Sequence, residues 1–179
     1  MFVSDALDRL VAPTDSGPLP ELTLPQLRAR RAELQGIESA LSYVRRLVQG
    51  RLDIVLDERQ HRAVGEGGRD VAALVADLPK ILSEHVTGGG RGALPDVALP
   101  PGDLDDIVTV VDHVIDAARL SSVTELSDAA LDDAASALTA LERRVSQHRR
   151  ALHTGIDAVQ EEIVRRYKTG EASVDALLT

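Results

Sequence analysis

The chain has 179 residues, 44% of them hydrophobic but only 2% aromatic, and a net charge of −9. That length suffices for one domain with a real core, and the shortage of aromatic side chains favours helix packing over a sandwich or barrel. The acidity argues against a general nucleic-acid-binding surface, and the absence of cysteine excludes disulfides, thiolate zinc sites and cysteine catalysis.

Residues 1–20 contain Pro13, Gly17, Pro18 and Pro20 without sustained periodicity and read as a flexible arm. A first long helix is predicted to begin near Thr23–Leu27, with Pro25 tolerated in its first turn, and to end near Arg62, before the Gly65–Gly68 cluster. A shorter helix over 69–86 places Val71, Leu74, Val75, Leu78, Ile81 and Leu82 on one side, and Pro79 should kink or interrupt it. Three consecutive glycines together with Pro95, Pro100 and Pro101 make 88–102 a loop. Asp103 is a candidate N-cap for a third helix with Ile107, Val110, Val111 and Val114 as its apolar face, ending near Leu120. Ser127 is placed to cap a last long helix from Asp128 to about Lys168, with Gly170 as its C-terminal cap and 171–179 as a tail. No segment alternates long enough to be a strand. The expected fold is all-α: one helical domain over 21–170, built around two long helices with shorter ones in the connection. No apolar run approaches the ~18 residues of a membrane span, and the chain reads as cytoplasmic.

One pattern occurs twice, 104 residues apart: Glu38, Ser42, Arg45, Gln49, Asp53 and then Glu142, Ser146, Arg149, His153, Asp157. Both copies read E-x3-S-x2-R-x3-(Q/H)-x3-D. At 3.6 residues per turn the five side chains share an arc of about 80° along roughly 22 Å of helix. A merely solvated face needs no such order. Each motif residue directly follows a seam residue, in the series Leu34, Ile37, Leu41, Val44, Val48, Leu52, Val55 and Leu138, Leu141, Val145, Leu152, Ile156, Val159, with His148 in the one gap. Steps of three and four are those of a helix-packing seam, so packed seams bring both motif stripes to the border of one interface.

Two long helices joined by shorter ones can return alongside each other in opposite directions. Glu38 is then expected near Asp157 and Asp53 near Glu142, with Ser42, Arg45, Ser146 and Arg149 in the middle. Guanidinium and hydroxyl suit phosphate, and a carboxylate suits the N1–H and exocyclic amine of guanine. The pseudo-twofold arrangement matches a cyclic dinucleotide of guanosine, although other anionic ligands satisfy the same chemistry. Without ligand, Arg45, Arg46, Arg149 and Arg150 are expected to crowd positive charge near the centre.

Other candidate sites are weaker. His148 on the seam reads as a core residue rather than a ligand, and His61, His85 and His113 lack metal-ligand spacing. The glycine clusters lack the G-K-[ST] ending of a P-loop, and Asp103, Asp105 and Asp106 read as a helix start. No serine–histidine–carboxylate set or metal constellation supports catalysis. A binding protein without a metal is expected; a ligand-independent coiled-coil adaptor is the competing class, and a helical nucleotide hydrolase comes third.

The two motifs, with the flanking Leu41-Ser42-Tyr43 and Val164-Arg165-Arg166-Tyr167 segments, closely resemble the signature of the RsiG family, cyclic di-GMP-responsive anti-sigma factors of sporulating actinobacteria. The resemblance implies an antiparallel coiled coil that binds cyclic di-GMP with one motif on each strand. The loaded protein then sequesters a flagellar-type sporulation sigma factor from RNA polymerase, with no direct DNA or membrane contact. By position the ligand contacts fall on Glu38, Ser42, Arg45, Gln49 and Asp53 and on Glu142, Ser146, Arg149 and Asp157. His153 stands where the first copy has glutamine, and a neutral imidazole lacks the paired donor and acceptor of an amide. Both motifs lie in one chain, so the ligand is expected to bind a monomer.

Overall fold

The computed structural model describes residues 17–65, 70–83, 108–109 and 111–170. The described residues contain helices and no strand: α1 (Leu24–Ala63), α2 (Val71–Ser83), α3 (Ala117–Ser121) and α4 (Asp128–Thr169), with three-residue 3-10 turns at Leu19–Glu21 and Val123–Glu125. Of the arm expected over 1–20, residues 1–16 lie outside them, as do the loop over 88–102, the Asp103 cap and the tail after Gly170; the arm's last residues instead enter the turn at Leu19–Glu21, whose Leu19 and Pro20 carbonyls accept from Arg166.

Local chemistry sets the ends of the two long helices. Before α1, the Gln26 side-chain oxygen accepts from the Thr23 backbone N–H at 2.7 Å, and Pro25 sits in the first turn where its missing N–H costs nothing. Before α4, the Ser127 hydroxyl accepts from the Ala130 N–H at 3.2 Å. Gly170 closes α4 with φ of 75°, a left-handed conformation that glycine adopts without steric cost.

Helices of 40 and 42 residues are about 60 Å long and need a continuous partner. They find it in each other. Leu27, Leu34, Leu41, Val48 and Val55 are buried at every seventh residue of α1, and Leu131, Leu138, Val145, Leu152 and Val159 at every seventh residue of α4. Val44 and Leu141 fill the intervening steps, while Ile37, Leu52 and Ile156 are partly buried at the seam's margin. Cross-helix partners descend in one helix as they climb in the other, from Arg31 with Gln160 through Arg45 with Glu142 to Arg59 with Asp132, so α1 and α4 run in opposite directions.

The connecting elements pack on this pair, with Leu74, Val111, Ile115 and Val123 joining the same core. The helix α2 runs through Pro79 without interruption, and its exposed Leu82 passes over Gly50. The region expected as a helix ending near Leu120 is broken after Asp112. Ile115 offers its carbonyl to the buried Arg51 guanidinium instead of to the next helical turn, and the Asp116 carboxylate caps a fresh helix by accepting from the Arg119 N–H at 2.7 Å. Arg51 also meets Asp112, so one α1 side chain both anchors the connection and ends its helix.

Candidate ligand site at the helix–helix border

The motif residues lie beside the seam, half-exposed, and the opposed helices bring their central members together. Ser42 donates to Glu38 Oε1 at 2.8 Å, and the same oxygen accepts from Arg149 Nη2 of the facing helix at 2.8 Å and from its Nε at 3.1 Å. The second copy mirrors this: Ser146 donates to Glu142 Oε1 at 2.9 Å, and Arg45 Nε donates to that oxygen at 2.9 Å and to Ser146 Oγ at 3.0 Å. Two Glu–Ser–Arg clusters therefore face each other across a pseudo-twofold axis, each taking its arginine from the opposite helix.

The stagger differs from the expected one. Glu38 lies opposite Arg149 and His153 rather than Asp157, and Glu142 lies opposite Arg45 rather than Asp53. Asp157, one helical turn beyond His153, is exposed; Gln49 and Asp53, one and two turns beyond Arg45, are half-buried. His153 stands at the margin, 55% exposed, with Nε2 3.5 Å from Glu38 Oε1. The expected crowding of positive charge is also offset: Arg45 and Arg149 are each neutralised by a glutamate, and Arg46 and Arg150 point into solvent.

Electrostatics at Glu38 reflect two opposed causes. Partial burial pushes its carboxyl upward, but the hydrogen bonds from Arg149 and Ser42 and the nearby positive charge outweigh that and hold it below the usual carboxylate range. Glu38 is thus a committed anion at neutral pH, prepared to accept hydrogen bonds only. His148, the polar member of the seam series, is half-buried between Val145 and Leu152 in sequence. Among the described residues no group of His, Asp and Glu has the arrangement to hold a metal ion, and no helix is long and apolar enough to cross a membrane.

A family model described as RsiG-like matches residues 13–82 and 117–179, which include both motifs and the whole of both long helices. The chain belongs to the RsiG-like family. No curated protein sequence matches it. The interval between the matched segments lies inside the connection, and the matched segments also take in α3 and all of α2 but its last residue.

Two pairs of polar residues outside the motif were not singled out from the sequence: Glu58 with Arg62, and Glu162 with Arg166. The signal was present, because the 104-residue offset that relates the motifs relates these pairs too.

Proposed function

We propose that this protein is an anti-sigma factor whose two long helices, as an antiparallel coiled coil, bind cyclic di-GMP across the paired motifs and, when loaded, hold a flagellar-type sporulation sigma factor. The observation that carries the reading is the pair of mirror-related Glu–Ser–Arg clusters at the helix border. A ligand with two phosphates and two guanines needs two guanidiniums, two hydroxyls and two carboxylates in twofold array, and the border supplies that set.

Binding proceeds by exchange of partners. Each phosphate takes an arginine, Arg45 or Arg149, from the glutamate that holds it. Each freed carboxylate, Glu38 or Glu142, then accepts from the N1–H and exocyclic amine of a guanine. A half-exposed Arg–Glu pair contributes only about 0–1 kcal/mol, whereas a hydrogen bond to a charged group contributes about 1.5–3 kcal/mol, so the exchange is favourable. Ser42 and Ser146 donate to the glutamates and can turn their hydroxyls to phosphate. Gln49, Asp53, His153 and Asp157 extend the stripe outward toward the nucleoside edges. The ligand ties charges of both helices together, and it strengthens sigma-factor binding by as much as it prefers the helix arrangement that the sigma factor recognises. The site is an open border with no closed pocket, which suits retention without turnover in a cytoplasmic regulator.

A second reading is favoured by the same hydrogen bonds: because the stripe satisfies itself, the protein can act as a ligand-independent coiled-coil adaptor. Equilibrium dialysis against cyclic di-GMP, with cyclic di-AMP beside it, separates the two. The proposed function requires retention of intact cyclic di-GMP and much weaker retention of cyclic di-AMP, whose adenine lacks the N1–H. Equal retention of both reduces the site to phosphate binding, and no retention leaves the adaptor.

A further inference from the structure

The 104-residue correspondence continues well past the motif. Leu19, Pro20 and Leu22 correspond to Val123, Thr124 and Leu126, Thr23 to Ser127, Glu58 to Glu162 and Arg62 to Arg166. Each half is built alike, with a 3-10 turn, a hydroxyl residue before the helix and then a long helix. Near the end of each long helix one arginine reaches the turn that precedes the other. Arg62 Nη1 donates to the Leu126 carbonyl at 2.7 Å, and its Nη2 to the Thr124 and Val123 carbonyls at 3.0 and 3.4 Å. Its Nε donates to Glu58 at 2.6 Å. Arg166 repeats the arrangement nitrogen by nitrogen: Nη1 to the Leu22 carbonyl, Nη2 to those of Leu19 and Pro20 at 3.1 Å each, and Nε to Glu162 at 2.7 Å.

Both arginines occupy the next place in the seven-residue series of buried seam residues, Arg62 after Val55 and Arg166 after Val159. An apolar side chain could fill that place as well or better for stability, because a buried ion pair gains little over a well-packed apolar group. A polar group in a seam does something different. It restricts the register, since a seven-residue hydrophobic repeat by itself tolerates slips of about 10.5 Å. A guanidinium fork aimed at the carbonyls of one three-residue turn is satisfied in one stagger only. Glu58, 2% exposed, and Glu162 hold the two forks in that orientation.

We infer that Arg62 and Arg166 are positioning residues: register clamps at the two ends of the helix pair that set its stagger and so align the two motif stripes against each other. The clamps act through backbone carbonyls and make no contact with the stripe. Their effect on the site is the stagger that places Glu38 opposite Arg149 and Glu142 opposite Arg45. The ligand-related consequence rests on the proposed function, whereas the stagger itself does not.

The chain has no cysteine, so two introduced ones are unique labelling sites. Spin labels at Gln35→Cys and Ala140→Cys, both exposed and on facing helices, report the register as a distance distribution. The clamp is removed without stranding a buried charge by combining Glu58→Gln with Arg62→Met and Glu162→Gln with Arg166→Met. The expected result is unchanged helix content with a broadened distribution, or one displaced by up to about 10.5 Å, one heptad. Cyclic di-GMP affinity should fall roughly tenfold or more, although none of the four residues lies in the stripe. Should the fourfold variant fail to fold, the Glu58→Gln, Arg62→Met variant with the other clamp intact should show partial broadening. A distance distribution identical to that of the parent protein overturns the inference. Failure of the parent protein to bind cyclic di-GMP would overturn the proposed function and leave the distances to decide the clamp.

Discussion

Arg45 and Glu142, 97 residues apart in sequence, meet through a 2.9 Å hydrogen bond across the helix border, and Arg149 and Glu38 repeat the relationship from the other side. Each arginine is held by the residue that the proposed mechanism assigns to guanine. The two roles are therefore linked: a phosphate cannot take its arginine without freeing a carboxylate for the base.

That linkage predicts a near-symmetric mutational response. Arg45→Ala and Arg149→Ala should each weaken cyclic di-GMP binding by about 1.5–3 kcal/mol, the scale of a hydrogen bond to a charged group. Each should change folding stability by no more than about 1 kcal/mol, because the pairs they break are half-exposed. Calorimetric titration and thermal melting of the same samples measure both quantities. Parent-level affinity in either variant would contradict the assignment.

Acid should loosen the pair in a defined window. Hydrogen bonds from Arg165 and Arg166 lower Glu162 from 4.5 to about 2, and Glu38 is lowered as well. A carboxyl depressed in the folded state stabilises the fold above its unfolded value and loses that contribution as pH falls through its folded value. Stability should therefore be level near neutrality and decline as pH drops below about 4.5 toward 2. Glu162→Gln should be less stable at neutral pH and show a shallower decline through that interval. Melting temperatures that fall equally steeply in both proteins would exclude Glu162 as a source of the acid sensitivity.

The seam predicts a contrast between two leucines of one helix. Leu41 is fully buried, so Leu41→Ala should destabilise the fold by about 2–5 kcal/mol. Leu56 is 41% exposed and lies one residue past the seam; Leu56→Ala should cost well under that, about 0.5–1 kcal/mol. Urea unfolding of the two variants provides the comparison, and equal losses would place the seam wrongly.

Much of this architecture is legible in the sequence for identifiable reasons. Helix α4 is bounded by Ser127 and Gly170, whose preferences for caps are strong, and the seam residues recur at intervals that only a packed helix explains. The motif was legible because it occurs twice. What escaped was set by contacts distant in sequence. The break near Asp116 depends on Arg51 capturing the Ile115 carbonyl, and the one local signal, Asp116 as an N-cap, is equally compatible with a continuous helix. The stagger of the stripes also escaped: opposed helices can be drawn with Glu38 against Asp157 or against Arg149, and the local pattern favours neither. The residues inferred to discriminate between these arrangements, Arg62 and Arg166, lie at the far ends of the pair; in the sequence each reads as one half of an ordinary i,i+4 Glu–Arg pair, and their carbonyl partners carry no sequence signal.

Binding of a flagellar-type sigma factor across a cyclic di-GMP titration, with Arg45→Ala alongside, tests the central claim most directly. Affinity should rise with ligand by a coupling of about 1–3 kcal/mol, and the variant should lose most of that rise at ligand concentrations that saturate the parent protein. Sigma affinity that is the same at every ligand concentration would contradict the ligand-gated account.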